Sequence, residues 1–570
     1  MTRRMHLILG AAAVTGVMTG LIVAMFEWIT ADVLLRTTLG APLLVQAMVP
    51  TAGLLVAAGC LRLAGRRTPP ATSDEYIRAF HDPVHRLNLR AVVPRLLGAI
   101  GTLGAGAPLG YEGPGLYSGA AIGTAIHRRV SRLIGVEGLR VLLVAGAAAG
   151  VAAVFKAPVT GLVFALEVPF QDDLAHRMLL PAAISAATSY LVFAAIAGTA
   201  PLLPVAGQPP FNVVDLGGAA GLGLLAGGLA RAFVAVVGRA KRLAASRRIV
   251  LRTVAAGAVL AATVLAGAAL AGSDLVLGPG YEALRWALEP GRSIPALIAL
   301  GTLRVVGTAA AIAGGGVGGL FIPLVIQGAL CGRAVGVLVG GGAAGTLFPV
   351  VGMAAFLGAG YRVPLASVVF VAEFTGRPGF VVPGLIAAVA AQLIMGRASV
   401  SAYQVRGRVG HLETRLRLPL AAMVDTGTAT VPPDATVDEL FWQHLVGNRR
   451  QAVPVVDGST YVGLVRAEDL PSVERADWPR VPVSRVMRSD VPVATTSWLL
   501  ADAIRAMEEA ETPILGVCDD GRFVGVISAQ ELVDLEEVLE RASSAPDGAS
   551  GTVNVLSRWR GRRGTPRDSR

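Results

Sequence analysis

Glu112 is the single acidic residue of GAPLGYEGPGLYSG, residues 106–119, a run otherwise made of glycine, proline, alanine and other uncharged residues. Pro114 suits the first turn of a helix, where its missing N–H costs nothing. The glycines around it, Gly113 among them, let bare backbone N–H groups converge. Such a helix start can hold an anion with amides and the positive end of the helix dipole, without a fixed cation that would bind too tightly. GGGVGGLFIP, residues 314–323, has the same design: Pro323 opens a helix, and the N–H groups of Phe321 and Ile322 are candidates to face the anion. Two helix starts aimed at one midplane point would make an anion-selective path. A carboxylate at Glu112 can take the seat an anion would occupy, so displacing or protonating it would open the path. Carboxylates within a membrane are functional candidates by default. The plainer readings of Glu112 are an N-terminal cap or an ion pair with an arginine.

Other residues carry weaker signals. Glu167 and Glu373 lie late in matched apolar runs and could cap, line a route, or pair with Lys156 and Arg362 of their own segments. Tyr403 can anchor at a membrane interface or offer its hydroxyl to an anion. Cys60, Cys331 and Cys518 are far apart and suggest neither disulfides nor a metal site. His81 and His85 are four residues apart but lack a third ligand nearby, so no metal site is expected. No nucleophile and base pair marks a catalytic centre, so an enzyme is not expected.

These residues must be positioned by membrane-spanning elements. Of 570 residues, 53% are apolar and 16% charged, against about 25% charged in soluble domains. The apolar residues fall into runs between about residues 7 and 395, several of them short or broken by Gly and Pro. Discontinuous helices of this kind build many mid-membrane transport sites. The first run follows the basic MTRRMH, yet it is followed by further apolar runs, so it reads as a transmembrane helix rather than a cleaved signal. The net charge of +11 fits cytoplasmic loops facing anionic lipid and gives little support for nucleic-acid binding. Gly146, Pro158, Phe164 and Glu167 precede Gly352, Pro364, Phe370 and Glu373 by 206 residues, and Pro114, Gly119, Ala120 and Gly123 precede Pro323, Gly328, Ala329 and Gly332 by 209. One half of the domain therefore echoes the other, with chance alignment of Gly- and Ala-rich helices as the alternative. Spacing alone leaves the relative direction of the halves open.

After about residue 412 the pattern changes to two strand, turn and helix units, AVPVVDGSTYVGLVRAEDL and ILGVCDDGRFVGVISAQEL. The expected divisions are a membrane domain at 1–412, two small units at 413–480 and 481–542, and an Arg-rich tail at 543–570 that is either disordered or in contact with lipid.

Gly110-Tyr111-Glu112-Gly113-Pro114 resembles the G(K/R)EGP motif, and Gly319-Leu320-Phe321-Ile322-Pro323 the GxFxP motif, of the CLC family of chloride channels and proton-coupled chloride exchangers. GAAAGVAAVFKAPVTGLVFALE at 146–167 and GPGYEAL at 278–284 extend the resemblance. The C-terminal units resemble paired CBS domains. The resemblance implies an all-α polytopic protein of the cell membrane, with an inverted repeat, discontinuous helices and a cytoplasmic α/β CBS module. It also implies a homodimer with one chloride path per subunit, Glu112 as the gate, Phe321 and Ile322 as amide ligands, and Tyr403 as the central tyrosine.

Three departures bear on mechanism. Tyr111 stands where the family usually has a basic residue. The family's GSGIPE segment is not recognisable; Ser73, with Thr72 close behind, is the stand-in for its chloride-coordinating serine, a plain polar loop being the alternative. The position after Glu167, which carries a second glutamate in the best-known exchangers, is Val168, and an isopropyl group cannot relay a proton. The expectation is accordingly a voltage- or pH-gated chloride channel, with a proton-coupled exchanger as the alternative. In the CBS units, the hydroxyl and carboxylate that would hold an adenine nucleotide's ribose correspond to Arg466 with Asp469 and to Ser528 with Glu531. The module is expected to be a regulatory scaffold, with nucleotide sensing as the alternative; no other cofactor is expected.

Overall fold

Backbone groups in a bilayer core have no water to bond, so a spanning segment must satisfy them internally as a helix. In the computed structural model, nine helices among the described residues are long and apolar enough to cross a membrane. The described residues are 3–63, 65, 70–82, 85, 87–135, 138–205, 212–246, 248–339, 346–407, 419–447 and 451–528. The chain packs as two units, Met1–Arg408 and Val409–Arg570. The first is a polytopic all-α membrane domain with discontinuous helices, and the second is an α/β module. The tail at 543–570 lies outside the described residues.

The helices that build the site are, in chain order, α1 (Arg3–Glu27), α2 (Thr72–His81), α3 (Glu112–Ile134), α4 (Gly138–Phe155), α5 (Pro158–Glu167), α6 (Phe321–Leu338), α7 (Leu347–Tyr361) and α8 (Pro364–Thr375). At about 1.5 Å of rise per residue, α5 and α8 are too short to span a bilayer. Each starts on a proline at its first position and follows a break made by a basic residue with positive φ, Lys156 (φ 51) before α5 and Arg362 (φ 59) before α8. A non-glycine residue in that region is uncommon. Both breaks are closed the same way: the Ala157 N–H donates to Ala152 and the Val363 N–H to Gly358. Close helix pairs also repeat. A side chain on Gly119 of α3 would strike the Gly146 carbonyl of α4, and one on Gly328 of α6 would strike the Gly352 carbonyl of α7.

The two halves are tied by contacts exchanged in both directions. Glu373 of α8 accepts from the Val159 and Thr160 N–H groups of α5 at 3.0 and 2.7 Å and from the Thr160 hydroxyl. Glu167 of α5 accepts from the Leu365 and Ala366 N–H groups of α8 at 3.1 and 2.8 Å. Each carboxylate thus takes free N–H groups at the start of the opposite half-helix, the donors left over once proline has filled the first position. Reciprocal contacts between matched residues are what a two-fold relation between the halves produces, and the echo of 206 residues is therefore structural.

In the second unit, β1 (Ala452–Asp457) pairs antiparallel with β2 (Thr460–Arg466), and β4 (Ile514–Asp519) pairs with β5 (Arg522–Ser528). β3 (Ala494–Thr495) lies parallel to β4 and completes a three-stranded sheet. The two hairpins repeat at a spacing of 62 residues and shift register at the same place, between Val455 and Val456 and between Val517 and Cys518. The inward faces form two apolar clusters, one around Val453, Val455 and Val465 and the other around Leu515, Val517 and Ile527. α9 (Leu500–Glu509) buries Ala503, Ala506 and Met507 in the latter.

Removing one of the crossed carboxylates leaves helix-start donors bare in an apolar setting. Glu373→Ala should lower stability by about 1–2 kcal/mol, the upper range for loss of a helix cap, and lower the thermal midpoint in detergent. The half-exposed Glu282 provides the control; equal midpoints for Glu373→Ala and Glu282→Ala would contradict the cap.

Candidate anion site

The strands of chain just before α3 and α6 meet as an antiparallel pair, Gly110 N–H to Gly319 carbonyl at 2.9 Å and Gly319 N–H to Gly110 carbonyl at 2.8 Å. Both helices therefore start from one point, which is the convergence the Gly and Pro pattern implied. The Glu112 carboxylate lies over this pair and accepts from the Phe321 N–H through Oε1 at 2.6 Å. A side chain on either Gly110 or Gly319 would collide with that carboxylate, so both positions must be glycine for Glu112 to sit where it does. Its second oxygen, Oε2, is buried without a hydrogen-bond partner. The residue is 1% exposed.

Around this seat the polar groups are few. Thr72 at the start of α2 points its hydroxyl to the beginning of α3, where a side chain on Gly113 would come within 2.6 Å of it, and the Thr72 Oγ1 is buried and unpartnered. The neighbouring Ser73 lies near the Tyr361 hydroxyl, which accepts from the Leu320 N–H at 3.3 Å. The walls are aromatic. Phe321 packs on Phe155, Phe370 and Phe164 with ring centroids 4.4, 4.7 and 5.4 Å apart. A dry, low-dielectric wall strengthens each N–H contact to a negative group.

The structure thus brings together Glu112, Gly113, Thr72, Ser73 and Phe321, and adds Leu320 and Tyr361. Two expected ligands differ. The second amide that faces a polar side chain is Leu320 rather than Ile322, because Leu320 already has helical φ and ψ of −111° and 0° and presents its own N–H one residue before the expected pair. Tyr403 is 54% exposed, has φ of 66° and lies under the Arg78 guanidinium at 5.5 Å. The buried hydroxyl comes instead from Tyr361, at the α7 end just before the Arg362 break. A tyrosine beside that break in the repeated segment was the available signal.

Glu167 is bound to the α8 start as described, and Val168 is 1% exposed. Beside them lies a cavity of ≈ 520 Å³ lined by Glu167, Asp172, Asp173, His176, Arg362 and Gln392, among others. Arg362 pairs with Asp172 at 2.6 Å and also donates to the Gly396 carbonyl. In the second unit, Asp469 is fully engaged by Arg466: Oδ2 accepts from its N–H and Nε at 3.0 and 3.1 Å, and Oδ1 from Nη2 at 2.8 Å. Arg466 also reaches the Glu511 carbonyl at 2.9 Å. Partial burial acts to raise the Asp469 acid, but the Arg466 hydrogen bonds and charge outweigh it and hold the carboxyl below its ordinary range. Ser528 ends β5 opposite Ile514, and Glu531 lies outside the described residues. Among the described residues no group of three or more His, Cys, Asp or Glu could hold a metal ion.

Residues 52–396 match the family described as voltage gated chloride channel, and residues 422–472 and 483–537 match the CBS domain. A ClcB-like chloride channel protein of Ralstonia nicotianae is 28% identical over 401 residues, 68% of this chain and 91% of that one. The H(+)/Cl(-) exchange transporter ClcA of Salmonella typhimurium is 28% identical over 413 residues, 68% of this chain and 85% of that one. Among solved structures, a eukaryotic CLC transporter covers 93% of this chain and 99% of its own with a TM-score of 0.59 and 18% identity. A slow cyanobacterial Cl-/H+ antiporter covers 69% and 95%, with a TM-score of 0.60 and 22% identity.

Two substitutions follow from these positions. Tyr361→Phe should weaken chloride binding about tenfold, the loss of one hydrogen bond to a charged group, whereas Tyr403→Phe should change it less than about twofold; calorimetric titration with chloride in detergent reads both, and the reverse order would contradict the placement. Asp469→Asn should lower the thermal midpoint of the C-terminal unit at pH 7. A carboxylate held low stabilises above its unfolded pKa and loses that contribution as pH falls through its folded value, so the difference from wild type should close below about pH 4.

Proposed function

Since the chain belongs to the voltage gated chloride channel family, whose match spans residues 52–396, and is a multi-pass CLC-fold protein that moves chloride across a membrane, we propose that it works as a proton-coupled chloride exchanger gated by Glu112. The observation that carries this reading is the Glu112 carboxylate on the Phe321 N–H. A negative group already occupies the place where a helix start would hold an anion, so chloride and the ionised Glu112 compete for one seat. Protonation removes the charge that the N–H favours, releases the side chain and admits chloride. Each turnover then links a proton on Glu112 to an anion on Phe321 and Leu320. Tyr361 and the Ser73 and Thr72 hydroxyls supply the remaining donors for an anion that must be held loosely enough to leave. The exchange transporter named among the relatives supports coupling over passive flow.

Val168 favours the second reading, a passive chloride channel, because no acid stands at that position to pass a proton onward. The cavity beside Glu167 weighs on the other side. Its Asp172, Asp173 and His176 bring titratable groups to within one cavity of the Glu167 carboxylate, so the chain can collect protons there without a glutamate at 168. In this reading the protein acts in the cell membrane as a homodimer with its CBS module in the cytoplasm, and its chemistry is transport without catalysis. The Arg466 and Asp469 pair closes one of the two nucleotide positions and favours a scaffold role for that unit.

Purified protein in liposomes tests the reading. A chloride gradient should drive protons uphill, and Glu112→Gln should abolish that proton movement while chloride flow continues and loses its pH dependence. Chloride flow without proton movement in the wild type would establish the channel reading instead.

A further inference from the structure

The helix that brings Thr72 and Ser73 to the anion seat, α2, carries two acids in its first turn, Asp74 and Glu75. Both are buried. A carboxylate in a first turn sits at the positive end of the helix dipole, the same end that attracts an anion. An acid left unneutralised here would oppose chloride. Asp74 is the closer concern, because it follows Ser73 directly and the Tyr361 hydroxyl is within its electrostatic reach.

The bonds of both carboxylates run to other elements. Asp74 Oδ2 accepts from the Lys241 ammonium at 2.6 Å, and Oδ1 accepts from the Ala402 N–H at 2.9 Å. Lys241 stands in the last turn of the helix Val213–Ala244 and also donates to the Val400 carbonyl at 2.7 Å. Glu75 Oε2 lies 3.0 Å from His85 Nε2 and 3.5 Å from Arg95 Nη2. Arg95 is buried in the helix Val92–Gly104, with its guanidinium 4.2 Å over the Tyr117 ring of α3. Each acid at the start of α2 therefore meets a cation from a different helix.

The sequence shows why such a cation is needed. The family's GSGIPE segment follows its serine with glycine, whereas here Asp74 follows Ser73. Removing one partner of a buried ion pair leaves the other charge uncompensated, and at this place the charge left over would be negative and beside the anion donors. We propose that Lys241 sets the chloride affinity of the site by cancelling the Asp74 charge, so that the start of α2 offers Thr72 and Ser73 to chloride without a competing negative field. Lys241 is a positioning residue that acts through Asp74.

This inference rests on the anion site at Phe321, Leu320 and Tyr361, and the test separates the two. Chloride binding is measured by calorimetry in detergent at constant ionic strength, with gluconate as the balancing anion. The proteins compared are wild type, Lys241→Met, Lys241→Arg, Asp74→Asn, the double variant Lys241→Met with Asp74→Asn, and Tyr361→Phe. Lys241→Met should weaken chloride binding about tenfold, the order expected of one unit charge several ångströms away at the effective dielectric of a protein. Asp74→Asn should tighten binding, because the ammonium is then unopposed while the Asn oxygen can still accept from the Ala402 N–H. The double variant and Lys241→Arg should each bind within about twofold of wild type, since the two charge effects cancel when both are removed. A pair with only a structural role would weaken binding in both single variants, so the opposite signs are the distinguishing result. If Lys241→Met folds poorly, Asp74→Asn and the uncharged double variant still decide the sign. Weaker chloride binding in Asp74→Asn would overturn the proposal. If Tyr361→Phe weakens binding while the charge variants leave it unchanged, the anion site stands and the role of Lys241 is overturned. If none of the variants alters binding, the site and the inference fall together.

Discussion

A helix that begins inside a membrane must find acceptors for its first free N–H groups, because neither water nor a preceding turn supplies them. This protein solves the problem with carboxylates lent across the two halves of its membrane domain. Glu373 caps α5, Glu167 caps α8, and Glu112 meets the first N–H of α6. The first two have both oxygens bonded at the opposite helix start. Glu112 has one oxygen bonded and one bare. The same physical need thus produces two fixed joints and one half-made joint, the one that the proposed exchange mechanism opens to a free anion.

Much of the surrounding structure follows from keeping that third joint clear. Gly110 and Gly319 have no side chain because the Glu112 carboxylate fills that space. The phenylalanines around Phe321 exclude water without offering a competing charge, and the nearby hydroxyls of Thr72, Ser73 and Tyr361 add donors that are neutral. An anion held by amides and hydroxyls is stabilised by partial charges only, which suits a site that must release its occupant as readily as it takes it.

The local devices of the site were legible in the sequence because glycine and proline announce themselves by position. Pro114 and Pro323 marked helix starts that do converge, and the spacing of Glu167 to Glu373 marked a repeat. The partners of those glutamates were not legible, since a residue 198 positions away bonds Glu167 and no local pattern encodes that distance. The choice of Leu320 over Ile322 depends on where the chain turns helical, a matter of one residue that GLFIP leaves open. Tyr403 and Tyr361 are both tyrosines near the end of the domain, and only packing distinguishes the exposed one from the buried one. The Arg466 and Asp469 pair was within reach of the sequence: opposite charges three residues apart at a helical turn can bond each other and close the site they seem to offer.

Calorimetric chloride titration in two buffers of different ionisation enthalpy tests most directly whether Glu112 and the anion share one seat. Competition requires chloride binding to be linked to proton binding, reciprocally and in a countable amount. Proton uptake should accompany chloride binding in the wild type and disappear in Glu112→Gln. Chloride binding by Glu112→Gln with the wild-type proton uptake would contradict it.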